Sequence, residues 1–127
     1  NSVVVTNNDP EDFQRLNGFF DLIVVDAPCS GEGLFRKDAE AMQEWSLENA
    51  NLCSLRQQRI LHDIWPALKQ DGIIVYSTCT YNPEENANNL QKFLAEHDAE
   101  IIPLQFDKTW GVAEMSIGYQ CFPHRVQ

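Results

Sequence analysis

Basic residues are scarce in this chain: nine lysines and arginines stand against nineteen aspartates and glutamates, a formal net charge of −10 at pH 7. A surface this acidic opposes phosphate-backbone binding, which takes clustered cations, so the local pair Arg36-Lys37 is the exception to note. Long apolar runs are missing too. Nothing approaches the roughly twenty apolar residues of a membrane span, and no basic stretch leading into an apolar one marks a signal peptide, so the chain reads as cytoplasmic. Cysteine is limited to positions 29, 53, 79 and 121, without Cys-x-x-Cys spacing or a nearby histidine pair, and no metal site is expected from that pattern. The composition is that of an intracellular protein rather than a small secreted scaffold, so free thiols are expected instead of disulfides. His62, His97 and His124 form no constellation along the chain. An initiating methionine is absent, and no cap or terminal helix signal closes the segment Pro123 to Gln127; both ends read as cut from a longer protein.

What is present is enough for one folded domain: 127 residues, 43% of them hydrophobic. Val3 to Thr6 is a short β-branched run that predicts a strand. Asp9-Pro10 with Glu11 and Asp12 then predicts a capped helix to about Leu16. Phe19 to Val25 is almost continuously apolar, the pattern of a strand covered on both faces of a parallel sheet. A loop from Ala27 to Lys37 follows, then a short helix capped by Asp38 over Ala39 to Glu44. Ser46 caps a longer helix whose apolar face is expected to be Cys53, Ile60, Leu61, Ile64, Trp65 and Leu68, kinked near its end by Pro66. Asp71-Gly72 predicts a turn into a second buried strand, Gly72 to Ser77. Asn82-Pro83-Glu84-Glu85 repeats the start signal, with Glu85 where a capping box needs a carboxylate, and predicts a helix to about His97. Glu100 to Leu104 is a weaker strand, and no clear periodicity follows Gln105.

Strands alternating with helices at this spacing mean an α/β fold with right-handed crossovers, and ligands in such folds bind at the carboxyl ends of the strands. Asp9, Asp26, Cys29 and Cys79 are all expected there. A cysteine in the loop after a buried strand is where an α/β enzyme keeps a nucleophile, and two such loops suggest one active site. Asp26 closes a buried strand and needs a donor from a ligand, from the loop, or from the amides of the Ser30 to Gly33 turn. Arg36 and Lys37 are suited to a phosphate and nearly as well to a solvated turn. Cys53, Cys121 and the tryptophans at 45, 65 and 110 are expected to pack.

The strings Asp26-Ala27-Pro28-Cys29-Ser30-Gly31-Glu32-Gly33 with Arg36-Lys37-Asp38, and Tyr76-Ser77-Thr78-Cys79-Thr80 with Asn82-Pro83-Glu84-Glu85-Asn86, resemble the Nop/Sun family of S-adenosylmethionine-dependent RNA cytosine-5 methyltransferases. The resemblance spans most of the chain, from Val3 to Phe122-Pro123-His124. It implies a Rossmann-like methyltransferase domain with a mainly parallel sheet, of which residues 1–127 are the later, catalytic part, inactive alone and lacking the first cofactor-binding strands and the final strand. It implies Cys79 as the nucleophile, which adds to C6 of cytosine, and Cys29 as the residue that assists release of the methylated RNA. The start of the helix at Pro83, with Arg36 or Lys37, is expected to favour the Cys79 thiolate. A Pro-Cys nucleophile of the kind DNA cytosine-5 enzymes use keeps Cys29 as the alternative attacking group. By the same resemblance Asp26 faces both cofactor and target base, Asp9 and Pro28 belong to the cofactor site, and Arg36 and Lys37 contact the RNA. The rival function is a non-catalytic RNA-associated scaffold that keeps the methyltransferase fold.

Overall fold

A computed structural model describes residues 2–35 and 39–126. Its centre is a pair of parallel strands, β1 (Phe20–Asp26) and β2 (Leu68–Ser77), in the register Leu22 opposite Ile73, Val24 opposite Val75 and Asp26 opposite Ser77. Parallel neighbours require a long crossover. Here it carries α1 (Ala39–Glu44) and α2 (Leu47–Ile64), while α3 (Ala87–Glu96) follows β2. The α/β class read from the sequence is the class observed.

The core lies on one side of the sheet, where Ile23, Val25 and Ala27 meet Leu61 of α2, Phe93 of α3, and Ala67 and Leu68 at the entry to β2. Alternate residues point the other way, so Leu22 and Val24 remain 55% and 63% exposed. Cover on both faces, expected from the apolar runs, is therefore not found among the described residues, because both packed helices contribute to the same core. Val3 to Thr6 is likewise not a strand: it is irregular and exposed, with no neighbour in the described residues to complete a ladder.

Local start signals work largely as read. Asp9 accepts from the Glu11 amide while Asp12 accepts from the Asp9 amide, although the segment they start, Pro10–Leu16, winds as a 3-10 helix. Ser46 Oγ accepts from the Asn49 amide at 3.0 Å and starts α2. The face that α2 buries differs from expectation: it is Ala50, Ser54, Gln57 and Leu61, with Cys53, Ile60 and Ile64 half-buried beside it. Pro66 does not kink α2, which stops at Ile64 and hands over to a 3-10 turn, Trp65–Ala67. Asp71-Gly72 sits inside β2 as an irregularity, where Asp71 takes a φ of 63° and the pairing jumps from Leu68 to Ile73.

The segment 100–104 forms no strand. Tyr119 fills that backbone's needs from a side chain, its hydroxyl accepting from Leu104 N at 2.6 Å and donating to Leu104 O at 2.9 Å. Tyr119 belongs to a small hairpin of β3 (Ala113–Glu114) and β4 (Tyr119–Gln120). No helix among the described residues is long and apolar enough to cross a membrane.

Candidate active site

Because β1 and β2 are parallel neighbours, the loops leaving their carboxyl ends start side by side, and Ala27 N donates to Ser77 O one step beyond the paired residues. The two loops then converge. Cys29 and Cys79, fifty residues apart in sequence, are joined as a disulfide with their α-carbons 6.4 Å apart, while Cys53 and Cys121 are free. The expectation of four free thiols is corrected to that extent: the topology places two thiols within bonding reach, which composition does not reveal.

Gly33 brings the backbones of the two loops into direct contact. Its amide donates to Cys79 O at 2.8 Å, and a β-carbon there would stand 2.5 Å from that same oxygen. Tyr81 N donates to Glu32 Oε2 at 2.8 Å, a second tie between the loops. On the Cys79 side, Thr78 Oγ1 donates to Asn86 Oδ1 and Asn86 Nδ2 donates to the carbonyls of Thr80 and Asn82, so the loop is wrapped around one asparagine.

Glu85 departs furthest from its expected role. It does not return to the Asn82 amide as a capping-box carboxylate; that amide donates to Thr80 Oγ1 instead. The Glu85 side chain turns inward, is fully buried, and accepts from Ser30 N at 2.9 Å, Ser30 Oγ at 2.5 Å and Gln57 Nε2 at 2.9 Å. Gln57, equally buried on α2, also donates to Pro28 O at 2.8 Å. Behind them Asn89 Nδ2 donates to Gln57 Oε1, and the Tyr76 hydroxyl donates to Glu85 O at 2.7 Å. Burial pushes the Tyr76 phenol up to about 12, with the Glu85 charge adding to the rise and the Asn89 hydrogen bond working against it. Sequence reading missed Gln57, Asn89 and the inward turn of Glu85. A polar stripe Ser54, Gln57, Gln58 on the otherwise core-facing side of α2 was the available signal.

The start of a long helix near Cys79 is not found. Pro83–Glu85 is a separate 3-10 turn capped by Asn82, and α3 begins only at Ala87. Arg36 and Lys37, with the Asp38 cap, lie outside the described residues.

Asp26 is exposed at the end of β1 and accepts from Ser77 Oγ at 3.2 Å, while the amide of Ser30 goes to Glu85 rather than to Asp26. It lines an open cleft of about 310 Å³ with Pro28, Asn8, Pro10 and Phe13, floored by Ile23, Ile60 and Ile64. Asp9 does not line this cleft. Its carboxylate takes two hydrogen bonds from Arg59 at 2.9 and 3.1 Å, and that guanidinium, with the Glu11 amide, holds its pKa below the usual carboxylate value.

The histidines need correction. His62 Nδ1 lies 3.4 Å from His97 Nε2, and Glu96 completes a group of three potential ligands within 4.8 Å, because α2 and α3 pack together. The His97 ring also packs, tilted, against Phe93 and Trp65, and burial followed by the neighbouring His62 lowers its pKa. Trp65 packs as expected, whereas Trp110 is 58% exposed.

A crossover-linked parallel pair bearing two cysteine loops at its carboxyl ends, beside a cleft over the first strand, places this chain among Rossmann-like α/β proteins. Comparison with known proteins narrows the class. The family described as 16S rRNA methyltransferase RsmB/F matches residues 1–127, and the chain belongs to that family, within the Nop/Sun group. It is 48% identical over 86 residues to ribosomal RNA small subunit methyltransferase F of Psychromonas ingrahamii, covering 67% of this chain and 18% of that protein. To ribosomal RNA small subunit methyltransferase B of Pasteurella multocida it is 38% identical over 107 residues, covering 82% and 23%. The crystal structure of PH0851 superposes with a TM-score of 0.67 at 29% identity, over 70% of this chain and 20% of that one. The chain thus spans about a fifth of the length of the relatives it matches.

Proposed function

We propose that the whole protein is an RNA methyltransferase that transfers a methyl group from S-adenosylmethionine to C5 of cytosine in ribosomal or transfer RNA, acting in the cytoplasm. The single observation that carries this reading is the meeting of the Cys29 and Cys79 loops over the carboxyl ends of β1 and β2. Family membership supplies the reaction class, and the relatives' names favour ribosomal RNA as the substrate.

Two cysteines suit this chemistry. Cytosine C5 is a poor nucleophile until a thiolate adds to C6, which loads electron density onto C5. In the proposed division of roles Cys79 adds to C6. After methylation a base removes the C5 proton, the C5–C6 double bond reforms, and the bond to the Cys79 sulfur breaks with the thiolate leaving. Cys29 assists that departure, and Asp26 holds the polar edge of the base. Arg36 and Lys37 contact RNA phosphate in this reading.

The donor, when bound, supplies a methyl on a sulfonium centre with a good leaving group. The cleft beside β1 fits part of it: its volume lies at the lower end of the roughly 300–1,000 Å³ of small-molecule sites, with an apolar floor and the Asp26 carboxylate at the rim. Pro28 and Asp26 are the residues proposed to hold it. Asp9 contributes only if Arg59 releases it.

RNA containing 5-fluorocytosine tests the reading, since the C5 substituent cannot leave as a proton and the enzyme stays attached. The whole protein should form an adduct located by mass spectrometry on Cys79. Cys79→Ala should abolish adduct and methylation, and Cys29→Ala should let a covalent complex accumulate on ordinary RNA. An adduct that survives Cys79→Ala and disappears with Cys29→Ala would reverse the two roles. Activity should also require a dithiol reductant after oxidation, because a Cys79 sulfur bonded to Cys29 has no lone thiolate to offer; full activity of the oxidised protein would contradict the mechanism.

A further inference from the structure

We infer that Glu85 is a positioning residue for the Cys29 loop, and hence for the release half of the reaction proposed above, on which this inference rests. Cys29 is held on both sides by one polar unit. The residue before it, Pro28, gives its carbonyl to Gln57 Nε2 at 2.8 Å. The residue after it, Ser30, gives its amide and hydroxyl to the Glu85 carboxylate at 2.9 and 2.5 Å. Gln57 and Glu85 are hydrogen-bonded to each other at 2.9 Å and are both fully buried.

Glu85 belongs to the turn that follows the Cys79 loop, so its carboxylate fixes the position of Cys29 relative to Cys79 across fifty-five residues of sequence. A buried carboxylate without adequate donors is costly, and three donors converge on this one. Two of the three come from Ser30, which makes the position of Glu85 and the path of the Cys29 backbone mutually dependent. Cys79 shares the Gly33 amide with the Cys29 loop but has further anchors of its own, because Thr78 and Thr80 on either side of it are tied to Asn86. Loss of the Glu85 carboxylate should therefore displace Cys29 more than Cys79.

That asymmetry separates this role from a merely structural one. Glu85→Gln keeps the side-chain volume and an oxygen for Ser30 N–H and Gln57 Nε2, but it removes the charge and puts an amide donor where Oε2 accepts from the Ser30 hydroxyl, so that short charge-assisted hydrogen bond is lost. In the whole protein with ordinary cytosine RNA, the variant should still form the Cys79 adduct but release it about tenfold or more slowly, as expected when a reacting group loses its supporting hydrogen bonds. It would thereby resemble Cys29→Ala rather than Cys79→Ala. Ser30→Ala, which removes one of the three donors, should act in the same direction by less.

A second readout does not depend on the reaction. In a glutathione buffer the Cys29 and Cys79 thiols are oxidised to their disulfide as one oxidised glutathione is reduced to two thiols, and the equilibrium reports how well the loops are held together. Glu85→Gln should lower the equilibrium constant for pairing by about tenfold. Unchanged pairing together with unchanged adduct release would overturn the inference. Adduct formation and release reduced in step with the folded fraction would also overturn it, leaving Glu85 as a core residue only. If the unmodified protein forms no Cys79 adduct, the proposed function fails, while the thiol equilibrium still decides whether Glu85 sets the loop.

Discussion

At the scale of single residues, Tyr76 carries a pH signature. Its phenol is neutral in the fold up to about 12, whereas in the unfolded chain it ionises near 10. The stabilisation it contributes is thus complete below pH 10 and is lost as pH rises from 10 towards 12, because only the unfolded state gives up its proton in that window. Urea denaturation across pH 8 to 11.5 should show this decline, and Tyr76→Phe should flatten it. At pH 8 the same variant should cost about 1–3 kcal/mol, since the Glu85 carbonyl loses its donor, while Gln57 Oε1 keeps Asn89 Nδ2. An unchanged slope in Tyr76→Phe would mean that another group titrates there. Gly33 is the other residue with a sharp expectation. Gly33→Ala must move the Cys79 carbonyl or the Cys29 loop, so pairing of the two thiols should weaken at least several-fold while the far end of the sheet is untouched. Thiol trapping in redox buffer reads the first effect and amide exchange of β1 reads the second.

At the scale of elements, α2 is the member that joins the site to the core. One face gives Leu61 to the apolar cluster and Gln57 and Ser54 to the polar unit, and its start depends on Ser46. Ser46→Ala leaves the Asn49 amide without its cap and should destabilise the chain by about 1 kcal/mol, with little effect on loop geometry eleven residues away. A shifted urea midpoint with unchanged Cys29–Cys79 pairing is the expected pair of results. The contrast with Asn82 is instructive. Both are caps followed by acidic residues, yet Asn82 starts only a 3-10 turn, because the carboxylate at Glu85 is drawn into the interior and Asn86 leaves helical geometry at φ −119° and ψ −96°.

At the scale of the whole molecule, the unbalanced sheet dominates. Among the described residues the two-stranded parallel sheet has open edges on both sides, and its uncovered face carries Leu22, Val24, Ile73 and Val75, all at least 45% exposed. Residues 23–26 also line the cleft consecutively, which is how a strand offers its edge. Exposed apolar face and unpaired backbone together favour strand addition or face-to-face association. The 127-residue chain should therefore self-associate, held in solution by its net charge of −10. Sedimentation should show concentration-dependent species that recede in Val24→Lys. A strict monomer with slowly exchanging β1 amides would show that the edge is already covered.

Much of this architecture was legible in one dimension. The apolar runs at Phe19 to Val25 and Gly72 to Ser77, the caps at Asp9, Ser46 and Asn82, and the positions of Cys29 and Cys79 after strands all follow from interactions spanning a few residues, which local chemistry dictates. The tertiary structure alone decided the rest. Val3 to Thr6 has strand propensity but no partner among the described residues, so it stays irregular; the sheet buries one face because α2 and α3 pack into the same core. Glu85 had a sufficient local role as a capping carboxylate and gave it up for Ser30, fifty-five residues earlier, and Gln57, twenty-eight residues earlier. His62 and His97 meet across thirty-five residues for the same reason. A short-range signal names what a side chain is able to bind, but a buried polar atom takes the donors that packing brings to it, and no spacing in the sequence records which those are.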